Sequence, residues 1–544
     1  MSKKRSVKQS FIAGALTSSA GVFISKFLGL FYIVPFTAMA TQPNMHFYSA
    51  AYSLYDTMLT ICSAGIPFAV SAMVAKYTSR EDYKTALLVR KLSMGIMLFS
   101  GFMMAMILIL FSGPFAEFSS SKTASEENIR TLQNVICFLS LSLFLVPFLS
   151  AYRGFYQGLK DFVSYGFSQT LEQLVRILML LGLGAVCVYV LHLDSIWAVR
   201  MAVFATGLAA LITILYFVHH DRYGYREVKE LASAQESEAV DKKELIKEMI
   251  AFGLPYMMMS ILGNSMNIVN TLFMQRELTD VSAEMAQLYY SIVQTNCNKL
   301  TSIPQVLAIG FSTGIVPHLT TNLEQKDYVH LKRNVLSALN TVCYIGLPLS
   351  YCLFALARPI YALMYGSAYL DIGTEALMYS SLLAVTGTIS PITTSMMMSL
   401  RYRRRCLEFL AIGFAMKFVT FFFLIDWFGY TGAITSSVIT GLIVIVLNLS
   451  YIKKKHQISF KSFYRNLLII AIGLISMNGM FVVLRWIGLD GIGSSKIMAI
   501  VQLGIFGILG GVVYFMTTAF FQLPKRIFKM SLSKLLGKLK RGKR

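Results

Sequence analysis

Charge is what this sequence has least of. Only 14% of its 544 residues are Asp, Glu, Lys or Arg, against 56% apolar, and the mean hydropathy is +0.61. A soluble domain of that composition would expose far too much apolar surface, so a soluble globular class is excluded. The few charges are also one-sided: 49 Lys and Arg stand against 27 Asp and Glu, a net charge of +22. In a soluble chain that excess would point to nucleic acid. Here, basic loops on one side of a membrane account for it.

Cysteine is scarce and shows no CxxC spacing. The seven cysteines lie mostly inside apolar runs, which excludes a disulfide framework or a zinc ribbon. The seven histidines lie mostly in loops or near span ends, with no ligand spacing. There is no phosphate-binding P-loop, no GxSxG and no HExxH. The loops on the non-basic side stay under about twenty residues and offer no outer catalytic domain. An ATP-driven pump and a membrane glycosyltransferase are therefore excluded, and the expectation is a protein that is not an enzyme and needs no cofactor. A coupling ion (H+ or Na+), the membrane potential or substrate flux would supply the energy.

Long apolar runs are abundant. They occupy about 11–40, 47–75, 92–112, 131–152, 162–191, 195–218, 248–275, 286–318, 334–357, 375–400, 406–425, 430–452, 465–487 and 497–521, each long enough to span a bilayer. Loop charges alternate around them. Segments such as "KYTSREDYKTALLVRK", "RYRRR" and "KKKHQISFKSFYR" are basic, while "TQPNMHF", "LHLD" and "DWFGY" are poor in Lys and Arg. The expected class is an all-α polytopic membrane protein of about fourteen transmembrane helices in a bacterial plasma membrane, with both termini cytoplasmic. "AMA" at Ala38–Ala40 resembles a signal cleavage site, but the run before it is too long for a signal core and reads as an uncleaved first span.

A polar loop at 219–247 divides residues 1–218 (six spans) from 248–452 (six more). The runs within 465–521 add two spans, and 522–544 is a basic tail suited to anionic lipid. Asp82-Tyr83 recurs as Asp327-Tyr328 and Pro114 as Pro359, both at an offset of 245. Six spans is an even number, so both halves enter from the same side and the repeats are parallel. Two such lobes suggest a transporter with its site between them.

Several deep polar residues are candidates to line that site. Lys26 lies about sixteen residues into the first run, near the bilayer centre, where a charge costs about 2.5–3.5 kcal/mol. Asp56 in the second run is its candidate counter-ion. In the fifth run Gln169, Glu172, Gln173 and Arg176 share one helical face. An ion pair gluing helices would explain Glu172 and Arg176 alone, whereas four polar positions point to a cavity wall. Asn264, Asn267 and Asn270 recur every third residue, a pattern that interhelical hydrogen bonding explains as well as a cavity does. Gln294 and Asn298 form another stripe with Tyr290 and Thr301, Lys299 lies beside it, and Lys417 sits too deep in its run for easy snorkelling. Lys26, Arg176, Lys299 and Lys417 outnumber Asp56 and Glu172, so the interior suits an anionic substrate such as a diphosphate.

"SKFLGLFYIVPF", "AGIPFAVSAMVAKY", "YRGFYQGLKD" with "SQTLEQLVRIL", and the lysine of the eleventh run resemble the multidrug/oligosaccharidyl-lipid/polysaccharide (MOP) exporter superfamily. Within it they are most similar to the MurJ and stage-V-sporulation-B type of lipid II flippase of Gram-positive bacteria. The resemblance covers essentially the whole chain. It implies movement of an undecaprenyl-pyrophosphate-linked peptidoglycan precursor from the inner to the outer leaflet by alternating access, with Lys26 in a central cationic cavity. It also implies a lipid-tail groove over about 465–521 and a link to the cell-wall synthesis machinery. Many relatives carry a second basic residue six or seven positions after the first; here those positions are Tyr32 and Ile33. Arg176, Lys299 or Lys417 would have to stand in. The competing readings are export of another undecaprenyl-linked glycan (sporulation, capsule or teichoic precursor), a cation-coupled drug antiporter, and a scaffold without transport.

Overall fold

The computed structural model describes residues 28–528 apart from 30–31, 64, 224, 306–318, 321, 324 and 494. Lys26 and the basic tail from 529 onward lie outside the described residues. The described secondary structure is helical throughout. In chain order the helices are α1 (Ile33–Ala40), α2 (Met45–Ser63), α3 (Ile66–Ser79), α4 (Tyr83–Leu110), α5 (Ser112–Ser119), α6 (Glu126–Gly158) and α7 (Phe162–Ala185). Then come α8 (Ile196–His220), α9 (Arg226–Ala234), α10 (Lys242–Gly263), α11 (Ser265–Glu277), α12 (Ala283–Ser291), α13 (Tyr328–Ala355) and α14 (Ala357–Tyr365). The last are α15 (Leu370–Ser399), α16 (Arg403–His456), α17 (Lys461–Trp486), α18 (Lys496–Phe520) and α19 (Leu523–Phe528). A π-helical stretch, Val186–Val190, extends α7, and another, Ile292–Cys297, follows α12.

Among the described residues, eleven helical segments are long and apolar enough to cross a membrane, with α2 and α3 counted as one. The chain is thus a multi-pass membrane protein. At 54 residues, α16 would be roughly 80 Å long if straight, well over twice the hydrocarbon core, so it crosses twice. Gly429 (φ 55°, ψ −138°) breaks it, and a Cβ on Gly432 would lie 1.9 Å from the Leu424 carbonyl oxygen, so the reversal needs glycine. The expected runs 406–425 and 430–452 are its two arms. The expected run 11–40 falls mainly outside the described residues and 286–318 is described only to 305, so the count of fourteen rests on the sequence.

The turns explain how the chain reverses so economically. Glu81, Lys160, Lys326 and Arg401 are all left-handed, with φ of 61°, 64°, 55° and 65°. In each case the next N–H closes the preceding helix: Asp82 on Tyr77 O (3.0 Å), Asp161 on Tyr156 O (2.9 Å), Asp327 on Asn322 O (2.8 Å), and Tyr402 on Met397 O (2.9 Å). The three aspartates then cap the following helix, accepting from the N–H of Thr85, Ser164 and His330. One dipeptide therefore ends one helix and starts the next. Tyr402 cannot do the second job, and α16 begins without a side-chain cap. The same backbone features recur 245 positions apart. Asp82 matches Asp327, and the break at Phe111 (φ −103°, ψ 15°) before the short α5 matches that at Leu356 (φ −110°, ψ 24°) before the short α14. The sequence echoes of the two halves are thus repeats of local structure.

The chain forms two compact units. One comprises residues 1–295 and 410–436, the other 296–409 and 437–544. In the first, α6 is the central helix, packed by α2, α3, α4 and α8, with Leu132, Val135, Leu139 and Leu143 buried. In the second, Asn466 Nδ2 donates to Asn340 Oδ1 (3.1 Å), Tyr344 and Thr518 share a hydroxyl contact (2.9 Å), and Tyr514 donates to Tyr344 O (2.9 Å). These bonds fasten α17 and α18 to α13, since polar pairs between membrane helices have no competing water. Large apolar side chains such as Trp486 and Phe520 stand exposed at 94% and 84%, as lipid-facing residues do.

Candidate functional site

The first unit holds a buried charge cluster where α6 and α7 meet α2. Glu172 accepts from Arg153 Nη2 on one carboxylate oxygen (2.7 Å) and from Arg176 Nη2 on the other (3.0 Å). Arg153 is buried and also donates to Ser168, through Nε to Oγ (3.1 Å) and through Nη2 to the main-chain oxygen (3.0 Å). Arg176 reaches across to α2, with Nη1 donating to the Tyr52 hydroxyl (2.9 Å). Tyr52 stacks on Tyr48, whose hydroxyl meets that of Tyr32 just before α1. The cluster contains two guanidiniums and one carboxylate, so it carries one net positive charge. A buried carboxylate shared by two arginines satisfies what burial would otherwise penalise.

The other candidates fall into distinct settings. Asp56 lies one turn after Tyr52 on α2 and is exposed; Asn264 Nδ2 approaches its carboxylate (3.5 Å), and Asn267 Nδ2 donates to Asn264 Oδ1 (2.7 Å). Asn264 is the break between α10 and α11 (φ −90°, ψ 6°), so this polar group sits at a helix discontinuity. Lys417 is fully buried. Its three donors meet Asn270 Oδ1 (2.8 Å), Ala433 O (3.1 Å) and Ser436 Oγ (2.7 Å), with the Phe421 ring 4.8 Å away. It binds α11 to both arms of the α16 hairpin. Gln294 belongs to the first unit and Asn298 and Lys299 to the second, all half-buried in or just after the π-helical stretch. The neighbouring Asn296 is buried and donates to the Tyr361 hydroxyl (3.0 Å).

Arg153 is the residue that sequence reasoning missed. It lies just past the apolar run 131–152, but α6 continues to Gly158 and carries Arg153 inside. The available signal was the set of aromatic residues around Arg153, namely Tyr152, Phe155 and Tyr156, which suits a packed helix better than a solvated loop. Elsewhere in the first unit, Glu248 of α10 accepts from Lys76 (2.5 Å) and Tyr77 (2.7 Å) of α3. Arg90 of α4 pairs with Asp221 and Tyr225 and lies over the Tyr225 ring (4.4 Å). In the turns, burial acts to raise the Asp82 carboxyl, but hydrogen bonds from Thr85 and Gln235 hold it below the usual carboxylate range.

Comparison with known proteins bears on most of the chain. It is 26% identical to the lipid II flippase MurJ of Bacillus subtilis (strain 168) over 456 residues, covering 83% of this chain and 84% of that protein. A solved structure of the lipid II flippase MurJ in its inward closed conformation superimposes with a TM-score of 0.68 at 14% identity, covering 95% of this chain and 100% of that one. An inward-facing multidrug resistance MATE family transporter of the MOP superfamily gives 0.63 at 15% identity, covering 81% of this chain and 98% of that one. The fold is therefore the MOP fold. The model of the polysaccharide biosynthesis protein family matches residues 11–323, more than half of the sequence, and the chain belongs to that family.

Proposed function

We propose that this protein is a lipid II flippase, carrying undecaprenyl-pyrophosphate-linked peptidoglycan precursor from the inner to the outer leaflet by alternating access. The observation that carries the reading is the match to a lipid II flippase over more than four-fifths of both chains. The chemistry supports it. The substrate combines a sugar-peptide head, a diphosphate and a long apolar tail. A cluster with one excess guanidinium offers the diphosphate a charge-assisted, planar partner in a low-dielectric setting. In this reading Asp56, Asn264 and Asn267 add polar groups to the same unit, and Lys26 and Lys299 are proposed as further substrate contacts. Lys417, with each donor already engaged, serves the architecture instead.

Residues 1–218 and 248–452 act as the two lobes that rock, 465–521 receives the polyprenyl tail, and the basic tail rests on anionic lipid of a plasma membrane with both termini cytoplasmic. The protein moves its substrate without chemical conversion. It is driven by an ion gradient, the membrane potential or substrate flux and works beside the cell-wall synthesis machinery. The test is rescue of growth in a Gram-positive host whose resident flippase can be switched off. The intact chain restores growth and Lys26→Ala, inserted at equal level, does not; failure of the well-expressed intact chain refutes the reading.

A further inference from the structure

We infer that Arg153 is a positioning residue that sets the charge of a diphosphate subsite built on Arg176 and Tyr52. The inference rests on the flippase reading for its ligand and on the geometry of α6 and α7 for its mechanism. Glu172 and Arg176 lie at i and i+4 of the same helix, a spacing at which a carboxylate and a guanidinium neutralise each other. Left alone, that pair would be self-contained and indifferent to anions. Arg153, arriving from α6, takes one of the two carboxylate oxygens (2.7 Å) and leaves Arg176 only the other (3.0 Å).

Arg153 is itself fixed by two further bonds to Ser168, one turn before Glu172, so it cannot swing toward a ligand. Arg176 is placed differently. Nη1 is turned to a neutral hydroxyl, Tyr52, rather than to a second carboxylate, and Nε is buried with no acceptor among the described residues. Arg153 thus consumes half of Glu172, and the unspent positive charge appears on Arg176, facing α2. Tyr52 is the exchangeable partner: a phosphate oxygen can take its place on Nη1 and accept from the tyrosine hydroxyl as well. Asp56, one turn further along α2, is approached by Asn264 and bounds the site on its acidic side.

The charge count makes the proposal testable with isosteric variants. The intact cluster is +1, Arg153→Gln makes it neutral, and the Arg153→Gln/Glu172→Gln double variant returns it to +1 with Arg176 as the lone ion. The triple variant with Arg176→Gln is neutral and holds no unpaired ion. The probe is farnesyl diphosphate, with farnesol as the uncharged control, titrated against the full chain in nanodiscs. One unit charge removed at a separation of several ångströms, at an effective dielectric of about 20–40, weakens diphosphate binding by roughly 10- to 100-fold. Arg153→Gln and the triple variant show that loss, the double variant binds within a few-fold of the intact chain, and Arg153→Lys is rescued. Farnesol binding does not change across the series.

Unchanged binding in Arg153→Gln, a double variant as weak as the triple, or no preference of the intact chain for the diphosphate over farnesol overturns the proposal. The failure of the flippase reading is separable from this, because it is scored by growth rescue. A chain that rescues growth but binds the probe equally well without Arg153 refutes the role of Arg153 alone. A chain that follows the predicted binding series without rescuing growth keeps the subsite and loses lipid II as its substrate.

Discussion

Glu172→Gln is the sharpest single perturbation of the interior. The substitution preserves shape and deletes one charge, leaving Arg153 and Arg176 buried side by side with only Ser168, Tyr52 and a neutral amide as acceptors. Breaking a buried ion pair from one side costs about 3–5 kcal/mol, since the remaining charge is left uncompensated. Here one carboxylate serves two guanidiniums, so the upper end applies. A unit of this size would show the loss as a drop on the order of 5–10 °C in apparent unfolding midpoint. Intrinsic-fluorescence melting in nanodiscs reads it directly. The double variant Arg153→Gln/Glu172→Gln should recover part of the loss, because it removes the like-charge repulsion while leaving Arg176 as a single uncompensated ion. A Glu172→Gln protein that melts with the wild type, or a double variant less stable than the single, would refute the claim that this carboxylate compensates both arginines.

Lys417→Ala should lower stability by roughly 2–4 kcal/mol, from the cavity and from the unpaired Asn270 and Ser436 oxygens. Lys417→Met, which refills the volume without a charge to desolvate, should lie closer to the wild type, and melting curves in the reverse order would contradict the tether assigned to this lysine. The Asp82 carboxyl is held below its ordinary value of 3.8, so its contribution to stability is present above that value and is lost as the pH falls through the lower folded value. The midpoint difference between wild type and Asp82→Ala should therefore be constant above about pH 5 and shrink below about pH 4. A difference that persists unchanged through the acid range would show that the cap acts without its charge.

How far the sequence could be read depends on the range of each interaction. Helices and their turns depend on residues close in the chain, and the Asp-capped reversals at Asp82, Asp161 and Asp327 lie in segments already recognisable as loops. The fifth-run stripe was legible for the same reason: positions i, i+3, i+4 and i+7 stay within one face. The asparagine stripe was not. Three-residue steps drift by about 60° each on a helix of 3.6 residues per turn, so Asn270 is carried well away from Asn264. Asn264 and Asn267 accordingly group with Asp56, and Asn270 turns to Lys417. Lys417 was visible as a deep cation, but its acceptors on Asn270 and Ser436 lie 147 and 19 residues away, and no periodicity reports them. Arg153 was hidden because an arginine at the end of an apolar run looks the same whether its helix stops there or runs on for one and a half turns.

The most direct test of the central claim is the amount of lipid II reachable from outside the cell within minutes of switching off the resident flippase, read with a membrane-impermeant probe. With this chain present, externally accessible lipid II should be maintained, and Arg176→Gln inserted at equal level should let it fall. Lipid II confined to the inner leaflet despite normal amounts of the intact protein would contradict the account.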